Sequence, residues 1–206
     1  MNPFWLTDDE LSKVSEIIRT GDLINGKNVQ EFEHEFSNYI GSRYAIAVNS
    51  GTAALHLALL SSGISAGDEV ITSPLSFVST ANAALSIGAI PIFSDVNPST
   101  GNIDPFQIKQ VISNEVKAII GVHLYGFPFE VNDIREIAEK NNAVLIEDAA
   151  QAIGAEYRGI KVGQLGDIAC FSFFATKNLA TGEGGMITTN NKEIASKCRV
   201  LRSHGS

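Results

Sequence analysis

The chain has 206 residues, 44% of them hydrophobic and 18% charged, enough to bury one sizeable core in a single domain or a little more. A formal net charge of −8 argues against non-specific affinity for nucleic acid or anionic membranes, so a phosphate group would have to be bound by local geometry. Cys170 and Cys198 show neither CxxC spacing nor a nearby histidine, so neither a disulfide nor a metal site is expected. The opening MNPFWLTDDELSKV lacks a basic n-region and an apolar h-region, and no apolar run is long enough to span a bilayer; a cytoplasmic protein is expected.

Thr7 with Glu10 forms a capping-box pattern that predicts a helix through Arg19, and Asn28 with Glu31 predicts a second carrying Phe32, Phe36 and Tyr39 on one face. Short apolar runs then alternate with amphipathic segments. The runs are YAIAV (44–48), EVIT (69–72), IPIF (90–93), KAIIGVH (117–123) and AVLIED (143–148); helices are predicted after Gly51, from Phe77, from Asp104 to Ile112 and from Val131 to Lys140. Strands apolar on both faces and separated by helices indicate an α/β fold, a mostly parallel central sheet with helices on both faces. Beyond Asp148 the pieces IACFSF (168–173) and GMITT (185–189) leave little room for a crossover helix, so at least one antiparallel strand is expected.

Ligands of such sheets bind outside the carboxyl ends of the strands, which directs attention to the residues that follow each run. Ser50, Gly51 and Thr52 stand between a strand and a helix, where free first-turn N–H groups and the helix dipole can hold a phosphate; the same residues would serve an ordinary helix start. Neither a Walker loop nor a GxGxxG fingerprint is present, which disfavours a nicotinamide oxidoreductase. Glu147 and Asp148 end a buried strand, where a carboxylate can enter the crevice. No metal ligand set accompanies them, so Asp148 either caps the next helix or keeps a cofactor's cationic ring nitrogen protonated. Lys177 follows IACFSF and precedes TGEGG. It is either a solvated surface residue or, with Phe171, Phe173 and Phe174 as apolar cover and Gly182, Gly184 and Gly185 allowing close backbone passage, an amine that forms a Schiff base. A phosphate seat, a pyridinium partner and an aldehyde-binding amine together fit pyridoxal 5'-phosphate.

The motifs NSGTAALHLAL, SPLSFVSTANAAL, GVHLYGFPFEVNDI, IEDAAQAIGAEYRG, VGQLGDIACFSFFATKNLATGEGGMITTN and VLRSHG, in this order, resemble the DegT/DnrJ/EryC1/StrS family of sugar aminotransferases, fold-type-I pyridoxal-phosphate enzymes. The resemblance implies that Lys177 bonds to the cofactor's aldehyde, that Asp148 holds the pyridinium nitrogen, and that Gly51, Thr52 and Ala53 cradle the phosphate with help from Ser172. It further implies Phe77 stacked on one ring face and Gln151 near the other face and the phenolic oxygen; His123 and Tyr125 match a motif and either help to shape the pocket or serve a structural role. The implied reaction transfers an amino group, usually from glutamate, onto a keto group of a nucleotide-linked sugar, in a homodimer. Family members continue past VLRSHG into a smaller C-terminal domain that is absent here, so the expectation is a cofactor-binding large domain over 1–206 with an N-terminal helical segment over about 1–40. A non-catalytic remnant or assembly partner is the alternative expectation.

Overall fold

The capping box at Thr7 forms as expected. In the computed structural model, which describes residues 6–21 and 23–204, the Thr7 hydroxyl accepts the Glu10 N–H at 3.3 Å while the Thr7 N–H donates to Glu10 Oε2 at 2.7 Å. Helix α1 (Asp8–Thr20) follows and stops at Gly21, in the left-handed region at φ 75°. The opening MNPFW and the final glycine of VLRSHG lie outside the described residues. The second helix, α2 (Lys27–Ile40), departs from expectation at its start. Gly26 is its N-cap and no side chain caps it, because Asn28 already lies inside the first turn. Of its apolar face, Phe36 is buried and Phe32 packs beside it, whereas Tyr39 sits at the rim with the Lys161 ammonium 3.9 Å from its ring centroid.

Every predicted apolar run becomes a strand: β1 (Tyr44–Val48), β2 (Glu69–Thr72), β3 (Ile90–Phe93), β4 (Val116–Val122) and β5 (Val144–Asp148). A hairpin that the sequence reading lacked comes next, β6 (Glu156–Tyr157) and β7 (Ile160–Lys161). Its two-residue turn places both Arg158 (φ 52°) and Gly159 (φ 79°) in the left-handed region, a geometry usually marked by Asn-Gly or Asp-Gly, and Arg-Gly hides it. Strands β8 (Ile168–Ser172) and β9 (Gly185–Thr189) complete a seven-stranded sheet in the order β3-β2-β4-β5-β8-β9-β1. The pairs from β3 through β8 are parallel, and β9 is antiparallel to both β8 and β1. One reversed strand in an otherwise parallel sheet is the expected arrangement.

Helices α3 (Gly51–Ser61), α4 (Ser79–Ser86) and α7 (Lys192–Arg202) cover one face with Leu55, Leu59, Ala83, Ala84, Ala195 and Cys198. Helices α2, α5 (Pro105–Val111) and α6 (Val131–Lys140) cover the other, where Phe36, Ile108, Ile134 and Ile137 meet Phe171 and Phe173. Each large apolar side chain so buried contributes about 1.5–3 kcal/mol relative to exposure. The helix predicted from Phe77 begins two residues later, which leaves Phe77 in the preceding loop, its carbonyl accepting the Thr80 N–H at 3.1 Å. Helix α7 was not foreseen: its buried residues, Ala195 and Cys198, are small and make a weak periodic signal. Both cysteines are free and buried.

Candidate active site

At the carboxyl ends of β5 and β8, where the chain turns from β1 into α3, lies a cavity of about 350 Å³, a size suited to a small organic ligand. Gly51, Thr52, Phe77, Asp148, Gln151, Ser172 and Lys177 all line it. The wall is close-packed for a specific reason. A Cβ on Gly51 would come within 2.8 Å of Ser172 Cβ, and one on Gly185 would come within 2.4 Å of the Ser50 carbonyl oxygen. Only glycines let the start of α3 settle against the end of β8 and the start of β9.

Ser50 caps α3, its hydroxyl accepting the Ala53 N–H at 3.1 Å. The helix-start reading of this motif holds, and it leaves donors over: Ala53 is paired and lies outside the cavity, while the N–H groups of Gly51 and Thr52 have no acceptor among the described residues. The Ser172 hydroxyl borders the same space and accepts the Phe174 N–H at 3.3 Å.

Asp148 is 4% exposed. Its Oδ2 accepts the Thr80 hydroxyl at 2.8 Å and its Oδ1 the Ala150 N–H at 3.2 Å. Burial pushes its carboxyl above the usual carboxylate range; these two hydrogen bonds, His123 and the Lys177 ammonium pull the other way and do not cancel it. The acid thus has unmet capacity for a cation on its cavity side. Lys177 stands on the loop between β8 and β9, held by Phe173 N–H to Gly184 C=O at 2.9 Å, Ala175 N–H to Gly182 C=O at 3.0 Å and its own N–H to Phe174 C=O at 2.8 Å. Of the three phenylalanines expected to shelter it, only Phe174 lines the cavity. Phe171 and Phe173 point through the sheet into the opposite core, as alternation along a strand requires.

Phe77 is 68% exposed and borders the cavity from the loop before α4. Gln151 borders it too, with its Oε1 accepting the Tyr125 N–H at 2.8 Å. Of the two parts open to His123 and Tyr125, the structural one fits their placement better than direct pocket-shaping. His123 is fully buried behind the sheet, stacked on Phe129 with ring centroids 4.5 Å apart, and Tyr125 is 86% exposed at φ 54°; neither lines the cavity. Thr80 is the residue that sequence reasoning missed. It reaches Asp148 across 68 positions of chain, and only its place in the first turn of a helix inside the SFVSTANAAL motif could have hinted at it. Ser76, hydrogen-bonded to Thr80 at 2.7 Å, and Glu183 are among the further lining residues that were not foreseen.

The fold thus gathers a buried carboxylate, an amine and a helix N-terminus on one cavity at the carboxyl edge of a mostly parallel sheet, where α/β proteins as a class bind their ligands. Residues 5–206 match the DegT/DnrJ/EryC1/StrS aminotransferase family, and the chain belongs to it. It is 49% identical over 180 residues to GDP-perosamine synthase of Caulobacter vibrioides, covering 87% of this chain and 48% of that protein. Its fold superposes on the aminotransferase from Psychrobacter cryohalolentis with a TM-score of 0.96 at 40% identity, covering all of this chain and 53% of that one. NtdA from Bacillus subtilis, solved with bound cofactor PMP, matches at TM-score 0.87 and 40% identity over 95% of this chain and 45% of its own. The chain spans about half the length of the curated relatives it matches.

Proposed function

We propose that this chain supplies the cofactor site of a pyridoxal-phosphate-dependent aminotransferase that moves an amino group from an amino acid, glutamate being the expected donor, onto a nucleotide-linked ketosugar in amino-sugar or polysaccharide biosynthesis. The observation that carries this reading is the convergence of Asp148, Lys177 and the unpaired amides of Gly51 and Thr52 on one cavity. Pyridoxal phosphate brings an aldehyde that condenses with amines and a ring that accepts electrons.

The residues present fit that group. The Gly51 and Thr52 amides, at the positive end of the α3 dipole, and the Ser172 hydroxyl would hold the phosphate. Asp148, taken out of water and held by Thr80 and Ala150, would hold the ring nitrogen and favour its protonated form. Phe77 covers a ring face, and Gln151, fixed by the Tyr125 N–H, borders the ring. Lys177, whose amine lines the same cavity, would hold the aldehyde end of the cofactor and is the residue placed to act as the base toward the donor's α-carbon.

The substrate class rests on the kinship with GDP-perosamine synthase. A homodimer is supported by the family and by exposed apolar side chains beside the site, Leu75, Phe77 and Val78 among them. A cytoplasmic setting is supported by composition and by the fact that no helix among the described residues is long and apolar enough to cross a membrane.

The test is a visible spectrum of the purified chain with added pyridoxal phosphate, then borohydride reduction and peptide mapping. A fixed adduct on Lys177 that is lost in Lys177→Ala is expected; an adduct elsewhere overturns the site. Turnover with glutamate and a panel of nucleotide ketosugars tests the activity, and labelling without turnover favours the non-catalytic alternative.

A further inference from the structure

We propose that Glu147 is a positioning residue, the hub of a brace on the far face of the sheet that holds Asp148 in place. Glu147 is fully buried and its two oxygens are saturated. Oε1 accepts the N–H groups of Leu165 at 2.8 Å and Gly166 at 2.6 Å; Oε2 accepts the Gly163 N–H and His123 Nε2, each at 3.0 Å. The three amides come from a backbone nest in the segment VGQLGD, and its glycines are what let it close. A Cβ on Gly166 would lie 2.7 Å from the Leu145 carbonyl oxygen, and Gly163, at φ 106°, would meet the Phe171 ring at 2.7 Å.

His123 grips β5 at two successive residues: its side chain donates to the Glu147 carboxylate and its backbone N–H to the Asp148 carbonyl oxygen at 3.1 Å. Its ring lies on Phe129, which in turn fills the space above Gly121, where a Cβ would come within 2.4 Å of that ring. The nest leads directly into β8, which pairs Glu147 with Ala169 and Asp148 with Cys170 and ends at Ser172. One carboxylate therefore ties together β4, β5 and the entry to β8, the strands whose ends carry Asp148 and Ser172. An isolated buried carboxylate is costly, and four donors make this one a rigid anchor instead.

The inference rests on the reading that Asp148 engages a ring nitrogen, and two measurements keep the two apart. In the cofactor-free chain, the Asp148 carboxyl titration is followed by NMR. Around that group stand the Thr80 hydroxyl, the Ala150 N–H, His123, Lys177 and the Cys170 thiol. In the loaded chain, affinity for pyridoxal phosphate is compared with that for its analogue with carbon in place of the ring nitrogen. Glu147→Gln sets an amide N–H₂ against donors; the expected results are a shift of the Asp148 titration toward the ordinary carboxylate value and a fall of about tenfold in discrimination between the ligands, about 1.4 kcal/mol. His123→Gln, which keeps a donor, is expected to retain both properties and His123→Leu to lose them. An unchanged Asp148 titration and unchanged discrimination in folded Glu147→Gln overturn the proposal. If that variant does not fold, equal behaviour of the two His123 variants overturns it. A wild-type chain indifferent to the ring nitrogen instead removes the proposed role of Asp148, and the cofactor-free titration still decides the brace.

Discussion

Glu147 and Asp148 are adjacent on β5 and almost equally buried, yet the fold treats them oppositely. The face that holds Glu147 is closed: three backbone amides and one imidazole leave its carboxylate nothing further to bind. Asp148 faces the cavity with a hydroxyl and one amide, and burial holds its carboxyl above the ordinary range. Burial alone does not mark a functional acid. Unmet hydrogen-bonding and charge capacity beside open space does, and only Asp148 has it.

The sharpest test of that contrast is on the open face. Lys177→Ala is expected to abolish the borohydride-fixed adduct entirely, read by mass spectrometry. The melting temperature should barely move, since the side-chain amine has no hydrogen-bond or ion-pair partner among the described residues and such sites usually contribute within about 0.5 kcal/mol.

Asp148→Asn is expected to weaken cofactor binding by about 1.5–3 kcal/mol through loss of a charged hydrogen bond, measured by titration of the visible band. Its effect on the cofactor-free fold has the opposite sign. As pH rises from about 4, the unfolded chain releases the Asp148 proton before the folded chain does, so the wild type loses stability up to the raised folded value and the loss persists above it. Asp148→Asn should remove that loss, melting higher than wild type at neutral pH and converging with it near pH 4. A variant that melts lower at both pH values would show that Asp148, like Glu147, is chiefly a structural acid.

Gly51→Ala places a methyl group 2.8 Å from Ser172 Cβ, so an overpacking cost of about 1–3 kcal/mol is expected in thermal or denaturant unfolding, with weaker binding of the phosphate end of the cofactor. Thr80→Val removes one donor to Asp148 while keeping the shape. It should cost about 1 kcal/mol or less of cofactor affinity, read in the same titration.

The amino-acid sequence carried the elements and the chemistry at their ends. The spacing of apolar runs located β1, β2, β3 and β9 to the residue, because period and turn residues are local properties of the chain. The junction at Gly51, the acid at Asp148 and the lysine at Lys177 stood out for the same reason: each ends an apolar run or follows one within a few residues. Pairing and facing were decided by tertiary structure. Alternation says that Ser172 and Phe173, or Glu147 and Asp148, lie on opposite faces, but which face opens onto the cavity depends on where α2, α3 and α4 pack. Thr80 became a partner of Asp148, and the VGQLGD segment a nest for Glu147, only when distant stretches met. Hydrogen-bond partners far apart in the chain leave no periodic trace in it, and burial, which gives Asp148 its unmet charge capacity, belongs to the folded molecule alone.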